Sequence, residues 1–346
     1  MKRQLISSAL ALSLIFGGAA ALPESFAPQS SIVAQAKSIR SGDYKYSLLK
    51  DGTAKIVKYK GKDTDVKIPS KIDGKKVTMI AKNAFSVNET IKNVTIPKGV
   101  TKIGDYAFAD CKSLKSVTIP NSVKTIGSFA FHCCKNLKTI KIPSSVKNIG
   151  GCAFSDCKNL KTIKIPSSVK TIGADAFSGT KWLENKQKKN PLVIVNGILI
   201  DGKTSKGKVT IPKGVTKIGD HAFVYCTSLK SVTIPNGVKT IGVNAFSVCT
   251  NLKTIKIPSS VKTISDLAFS GCASLKSITI PSSVKTIGKY AFSDCANLKT
   301  VTIPKSVTTI GKDAFAYCHK NLTIKTQKGS AAAKYAKKNN IKVKYI

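Results

Sequence analysis

Apolar positions in this chain recur as a block rather than as one helical or strand period. In the stretch Leu137–Asn159, LKTIKIPSSVKNIGGCAFSDCKN, they fall at Leu137, Ile140, Ile142, Val146, Ile149, Ala153, Phe154 and Cys157, with Ser, Thr, Lys and Asn between them. The block returns along most of the sequence. Its Ile-Pro pair closes at Pro97, Pro120, Pro143, Pro166, Pro212, Pro235, Pro258, Pro281 and Pro304, in steps of 23 residues except for one of 46 between Pro166 and Pro212. Its Ala-Phe pair keeps the same phase, with Phe at 85, 108, 131, 154, 177, 223, 246, 269, 292 and 315. A unit this short cannot bury its own apolar face and must stack on its neighbours, so the period predicts a solenoid.

Within a unit, Leu-x-x-[Ile/Val]-x-[Ile/Val]-Pro alternates in a way that suits a short strand with its β-branched residues turned inward. Proline lacks a donor N–H and closes that strand. Val146-x-x-Ile149 makes a second extended piece, Gly150 the corner, and Ala153-Phe154 with Cys157 returns the chain to the next Leu. The ends depart from the pattern. Alternation on either side of Lys50-Asp51-Gly52 predicts a hairpin, and the first repeat is irregular, with Pro69 to Pro97 spanning 28 residues. At the other end, Gly329-Ser330 before an alanine-rich run predicts an N-capped helix, with a strand over Ile341–Ile346. Both ends read as caps, which a solenoid needs to keep its apolar ends out of water.

From Gly179 to Lys208 the unit is replaced by GTKWLENKQKKNPLVIVNGILIDGKTSKGK, which holds the only Trp, Trp182, a lysine-rich loop, and a hairpin across Asn196-Gly197. Because the phase survives 46 residues, the hairpin is expected to replace one repeat's strands without breaking the stack. The alternative is a ligand-binding projection built on Trp182. The divisions are then a signal peptide over 1–36, an N-terminal cap with the irregular repeat over 37–90, a first array over 91–180, the Trp-containing insertion over 181–208, a second array over 209–323 and a C-terminal cap over 324–346.

The strand part of the unit matches the Leu-x-x-Leu-x-Leu signature of leucine-rich repeats. The fuller pattern LKxVTIPxxVxxIGxxAFxxC, over Val94–Thr323, resembles the BspA-like (Treponema pallidum-type) class of bacterial leucine-rich-repeat surface or secreted proteins. The resemblance implies a repeat solenoid of short parallel strands. It also implies cell-surface adhesion or binding to matrix or host proteins, without catalysis.

Charge changes the picture of the surface. The net charge is +40, and of 57 basic residues only Arg3 and Arg40 are arginine. Lysine is a hydrated point charge on a flexible stem, suited to diffuse attraction rather than bidentate readout. The lysines are also periodic. One column follows the repeat Leu (Lys115, Lys138, Lys161, Lys230, Lys253, Lys276, Lys299) and another the Val of the second piece (Lys124, Lys147, Lys170, Lys239, Lys262, Lys285). On the first strand, the outward residue between the two β-branched ones is Thr95, Thr118, Lys141, Lys164, Thr210, Thr233, Lys256, Thr279 or Thr302, and the candidate ligand-binding site is the face carrying Thr118, Lys141, Lys164, Thr233, Lys256, Thr279 and Thr302. Like charges stacked about 5 Å apart repel inside a Debye length of about 8 Å. A polyanion laid along a column relieves that repulsion, although the same columns equally suit a merely solvated surface. The expected partners are an extracellular protein or an anionic polysaccharide or cell-envelope polymer. Arginine scarcity and the lack of aromatics among the ladder positions argue against specific nucleic-acid binding.

The N-terminus, MKRQLISSALALSLIFGGAAAL, reads as a secretory signal with cleavage after Ala34-Gln35-Ala36. No later run approaches the roughly 20 apolar residues of a membrane helix. The protein is therefore expected outside the cytoplasm, without a covalent anchor and as a monomer.

Other chemistry has little foothold. Eight of ten Cys stand three residues after the Phe (Cys111, Cys134, Cys157, Cys226, Cys249, Cys272, Cys295, Cys318), with Asn88 and Thr180 at that position elsewhere. Free exchange with Asn and Thr points to a buried ladder of reduced thiols. The off-phase Cys133 and Cys152 are left over, and a disulfide between them is the alternative. His132-Cys133-Cys134 lacks the spacing of a metal motif, and adjacent residues of an extended chain face opposite ways. Three scattered His and few carboxylates offer no acid–base pair, so no catalytic residue, cofactor or metal is expected.

Overall fold

The computed structural model describes Ser38–Ile346; the predicted signal peptide lies outside the described residues. Each 23-residue unit makes two short strands. The back strands pair in parallel from turn to turn, while the front strands pair in four shorter runs, Asp65–Lys67 to Ser116–Thr118, Thr139–Lys141 with Thr162–Lys164, Gly207–Thr210 to Thr254–Lys256, and Ser277–Thr279 to Thr323–Thr326. The front strands include Asn93–Thr95, Ser116–Thr118, Thr139–Lys141 and Thr162–Lys164. Thr139, Ile140 and Lys141 lie in register with Thr162, Ile163 and Lys164. The back strands are two residues long, such as Asn148–Ile149 and Thr171–Ile172, and form one sheet from the N-terminal cap to Ile172 and another from Val193 to Ile310.

The core lies between the two ladders. Leu137, Ile140, Ile142, Val146, Ile149, Ala153, Phe154 and Cys157 are all buried. Because the turns stack in register, like residues pack on like. Phe131 and Phe154 lie 5.4 Å apart with planes 3° off parallel, and Phe154 and Phe177 lie 5.7 Å apart at 2°. Eight of these rings are fully buried, and within each column a ring is covered by those of the turns on either side. The ladder thiols also pair. Cys157 Sγ donates to the Phe131 carbonyl at 2.9 Å, and Cys111, Cys134, Cys249, Cys272, Cys295 and Cys318 make the same bond, at 3.1–3.2 Å, to the Phe carbonyl 26 residues earlier. Thr180 at the same position makes a different bond, its Oγ1 donating to the Phe177 carbonyl of its own turn, and Asn88 there accepts from Ile91 N–H.

Two features of each turn do not show in the hydrophobic pattern. The residues two before and two after the Phe take left-handed backbone, as Cys152 (φ 50°) and Asp156 (φ 56°) do around Phe154. The repeat glycine serves close approach rather than conformation: a Cβ on Gly150 would stand 2.3 Å from the Ser128 nitrogen of the previous turn.

The ends are capped as expected. Tyr44–Leu48 and Ala54–Tyr59 form an antiparallel hairpin, and Ala54–Tyr59 then pairs in parallel with Lys75–Ile80 to start the back sheet. Tyr59 stacks on Phe85 at the head of the ring column. The irregular repeat contains a second hairpin, Lys71–Ile72 with Lys75–Ile80. At the C-terminus, helix Ala331–Lys338 is N-capped by Ser330, and strand Lys342–Tyr345 pairs in parallel with Thr323–Thr326. Tyr335 of that helix meets the last ring, Phe315, edge-on at 5.9 Å.

The insertion differs from expectation. The lysine-rich loop is a helix, Lys181–Lys189, N-capped by the Thr180 hydroxyl. The hairpin Val193–Val195 with Ile198–Asp201 forms across Asn196 (φ 50°) and Gly197 (φ 75°), and Ile198–Leu199 pairs in parallel with Lys217–Ile218 of the second array. Although the phase is kept, the ladders do not run through. The back sheet restarts at this hairpin, and the aromatic column stops at Trp182 and resumes at Phe223. The buried core divides between Ile198 and Leu199. A half-buried charge cluster bridges the gap. Asp175 of the first array accepts from His221 Nδ1 of the second at 2.8 Å and pairs with Lys203.

Candidate binding surface

The front strands present two columns outward, because residues two apart on a strand share a face. Thr118, Lys141, Lys164, Thr233, Lys256 and Thr279 are exposed, and Thr302 is half-buried. Backbone pairing sets Lys141 beside Lys164, Thr233 beside Lys256, and Thr279 beside Thr302. The second column, Ser116, Thr139, Thr162, Ser231, Thr254, Ser277 and Thr300, completes the same face. Sequence reasoning passed over it, though strand alternation was the signal that places it. The result is a flat field of hydroxyls with ammonium groups set into it.

The other two lysine columns flank this face and are exposed throughout. Their spacing is held by the main chain, since Lys161 N–H donates to the Lys138 carbonyl at 3.0 Å and Lys147 N–H to the Lys124 carbonyl at 2.8 Å. Adjacent lysines are thus anchored at the main chain about 4.8 Å apart. The ion pairs made by Lys112, Lys181, Lys203 and Lys217 all lie outside these columns.

Trp182 takes no place on the surface. It is 8% exposed and packs against Phe177 at 4.9 Å, ending the first ring column. Its ring covers the end of the column that the next repeat Phe would cover in a regular unit.

The ten cysteines are all free, Cys133 and Cys152 included. Burial pushes the Cys111 and Cys318 thiols up to about 12 and that of Cys226 to about 11. Cys134 is buried and Cys133 half-exposed, but the chain at Cys133 is a left-handed turn (φ 56°) rather than the extended segment the sequence suggested. At the C-terminal end, a cleft between the last turn and the cap helix is lined by Tyr317, His319, Asn321, Tyr335, Asn339 and Lys342. No sequence motif marks it. No helix among the described residues is long and apolar enough to cross a membrane.

A stacked array of short parallel strands, capped at both ends and presenting a polar strand face, defines a leucine-rich-repeat protein. The profile described as "BspA type Leucine rich repeat region" matches residues 78–195 and 202–322, in six copies, and the chain belongs to that family. No curated protein matches. Similar solved structures include a leucine-rich cell surface protein from Faecalibacterium prausnitzii, 28% identical, covering 87% of this chain and 97% of that one with a TM-score of 0.43. The pneumococcal vaccine antigen PcpA is 20% identical, covering 90% and 99% at 0.45. The leucine-rich-repeat protein of T. pallidum is 22% identical, covering 89% and 98% at 0.35.

Proposed function

We propose that this is a secreted or cell-surface protein that binds extracellular macromolecules through its front strand face, in adhesion or in matrix or host-protein binding, without catalysis. The carrying observation is the face itself: exposed Thr, Ser and Lys at fixed spacing on a backbone held rigid by turn-to-turn hydrogen bonds. Its main chain is already ordered, so only side chains are immobilised on binding, and that lowers the entropic cost of association. Family membership supports the same reading. The predicted signal peptide sets it outside the cytoplasm.

The lysine columns favour a second reading, a cationic structural protein or general polyanion binder held to the cell envelope by charge. Binding of the purified protein to producer cells, matrix glycoproteins and a sulfated polysaccharide, each at low and high salt, separates the two. Attachment to one partner that survives high salt supports the specific face. Uniform attachment that collapses with salt overturns it in favour of charge alone, because counterion release makes electrostatic binding steeply salt-dependent.

A further inference from the structure

His132 and Cys133 are adjacent in one turn, and Asp156 stands at the Cys133 position of the next turn, 23 residues on. One donor atom from each, an imidazole nitrogen, a sulfur and a carboxylate oxygen, lie within 4.8 Å of one another. From these residues we propose a divalent metal site of the zinc class, with His132, Cys133 and Asp156 as its protein ligands.

The local backbone explains how a chain without a metal motif arrives here. Cys133 (φ 56°) and Asp156 (φ 56°) both occupy the left-handed position two after the repeat Phe, so their side chains leave the turns in the same direction. Stacking then brings them together, Cys133 N–H donating to the Ser155 carbonyl at 2.9 Å. In a solenoid the ligand spacing is the repeat period, which a search for Cys-x2-Cys or His-x3-His does not test. The next residue of this column is Gly179, and a Cβ there would stand 2.7 Å from Asp156 Oδ1. A glycine therefore leaves the carboxylate its room.

The imidazole is oriented by a second contact. Ser155, 4% exposed, sets its hydroxyl oxygen 2.6 Å from His132 Nδ1 and within 3.2 Å of the Cys152 carbonyl. The tautomer that donates from Nδ1 to this oxygen leaves Nε2, which faces Cys133 Sγ at 3.2 Å, unprotonated for a metal. Metal-bound histidines are held in this manner, through the ring nitrogen that does not ligate. Zn–S bonds of about 2.3 Å and Zn–N or Zn–O bonds of about 2.0–2.2 Å set tetrahedral donors about 3.3–3.6 Å apart, so the Nε2–Sγ pair at 3.2 Å opens slightly and the carboxylate oxygen closes by at most about 1.5 Å, a side-chain rotation. On ligation the Cys133 thiol releases its proton to solvent, and the fourth position, open because all three residues are half-exposed, takes water. An imidazole, a thiolate and a single carboxylate suit zinc or cobalt better than calcium or magnesium, which prefer all-oxygen sites.

The test is calorimetric titration of the reduced, chelator-treated protein with Zn²⁺, paired with Co²⁺ absorption spectroscopy. One ion per chain is expected, with a thiolate-to-cobalt charge-transfer band. Cys133→Ala should abolish that band and weaken Zn²⁺ binding by tenfold or more, as should His132→Ala and Asp156→Ala. Ser155→Ala should weaken it by about tenfold, while His221→Ala leaves it unchanged. Circular dichroism confirms that each variant is folded. Failure of the reduced protein to bind Zn²⁺, or binding that persists in folded Cys133→Ala, overturns the site.

Discussion

At the residue scale, the repeat is a set of columns in which each side chain is packed by its own copies above and below. Phe154 sits between Phe131 and Phe177 with no exposed surface. Phe154→Ala opens a cavity that neither neighbouring ring can fill, and its expected cost is about 3–5 kcal/mol. Chemical denaturation measures this, and a loss below about 1 kcal/mol would mean the turns collapse onto one another. The thiol column makes a second prediction. Thiolate is the reactive form, and burial holds the ladder thiols far from it. In the folded protein Cys133 and Cys152 should alkylate first, and all ten cysteines should react once it is unfolded. Fewer than eight free thiols in denaturant would show that the ladder is oxidised. These columns were legible in the sequence because Phe and Cys keep one phase. The thiol-to-carbonyl bond and the left-handed residues were not, since Cys, Asp, Tyr, His and Leu all occupy the left-handed positions and share no chemistry that marks them.

At the scale of elements, strands and caps followed from alternation, turn residues and Ser330, whereas the helix Lys181–Lys189 did not. Its sequence, KWLENKQKK, carries only two buried apolar residues, Trp182 and Leu183, too few to display a helical period. Its start was nonetheless written in Thr180, whose hydroxyl accepts from Leu183 N–H. Where this helix and the hairpin interrupt the ladders, Asp175 joins the two arrays through His221 and Lys203. Burial pushes its carboxyl up, but the hydrogen bond from His221 and the Lys203 ammonium outweigh that and hold it down at about 2. A carboxylate whose folded pKa is depressed stabilises the fold above its unfolded pKa of about 3.9, and that contribution is lost as pH falls from there toward about 2. Asp175→Asn should therefore remove about 2 kcal/mol at neutral pH and flatten the acid limb of the stability profile between roughly pH 4 and 2. An unchanged acid limb, followed by denaturant titration at several pH values, would show that the cluster does not couple the arrays.

At the scale of the whole molecule, a rigid stack of turns carries a positive surface whose charges are placed by the backbone. The strand-face positions follow from one sequence by asking which residue lies between two buried β-branched ones, and the structure sets three pairs of them in register, Lys141 with Lys164, Thr233 with Lys256 and Thr279 with Thr302. What they bind is not written in the repeat, because the same backbone supports any choice of outward residue. The most direct measurement is binding of the triple variant Lys141→Glu, Lys164→Glu, Lys256→Glu, compared with the unmodified protein on whichever partner survives high salt. All three side chains are exposed, so the fold should be kept, as circular dichroism will verify. If the front face is the binding surface, affinity falls by at least about tenfold, several screened charge contacts each being worth up to about 1 kcal/mol. Unchanged affinity in the folded variant would contradict it and move the search to the flanking lysine columns.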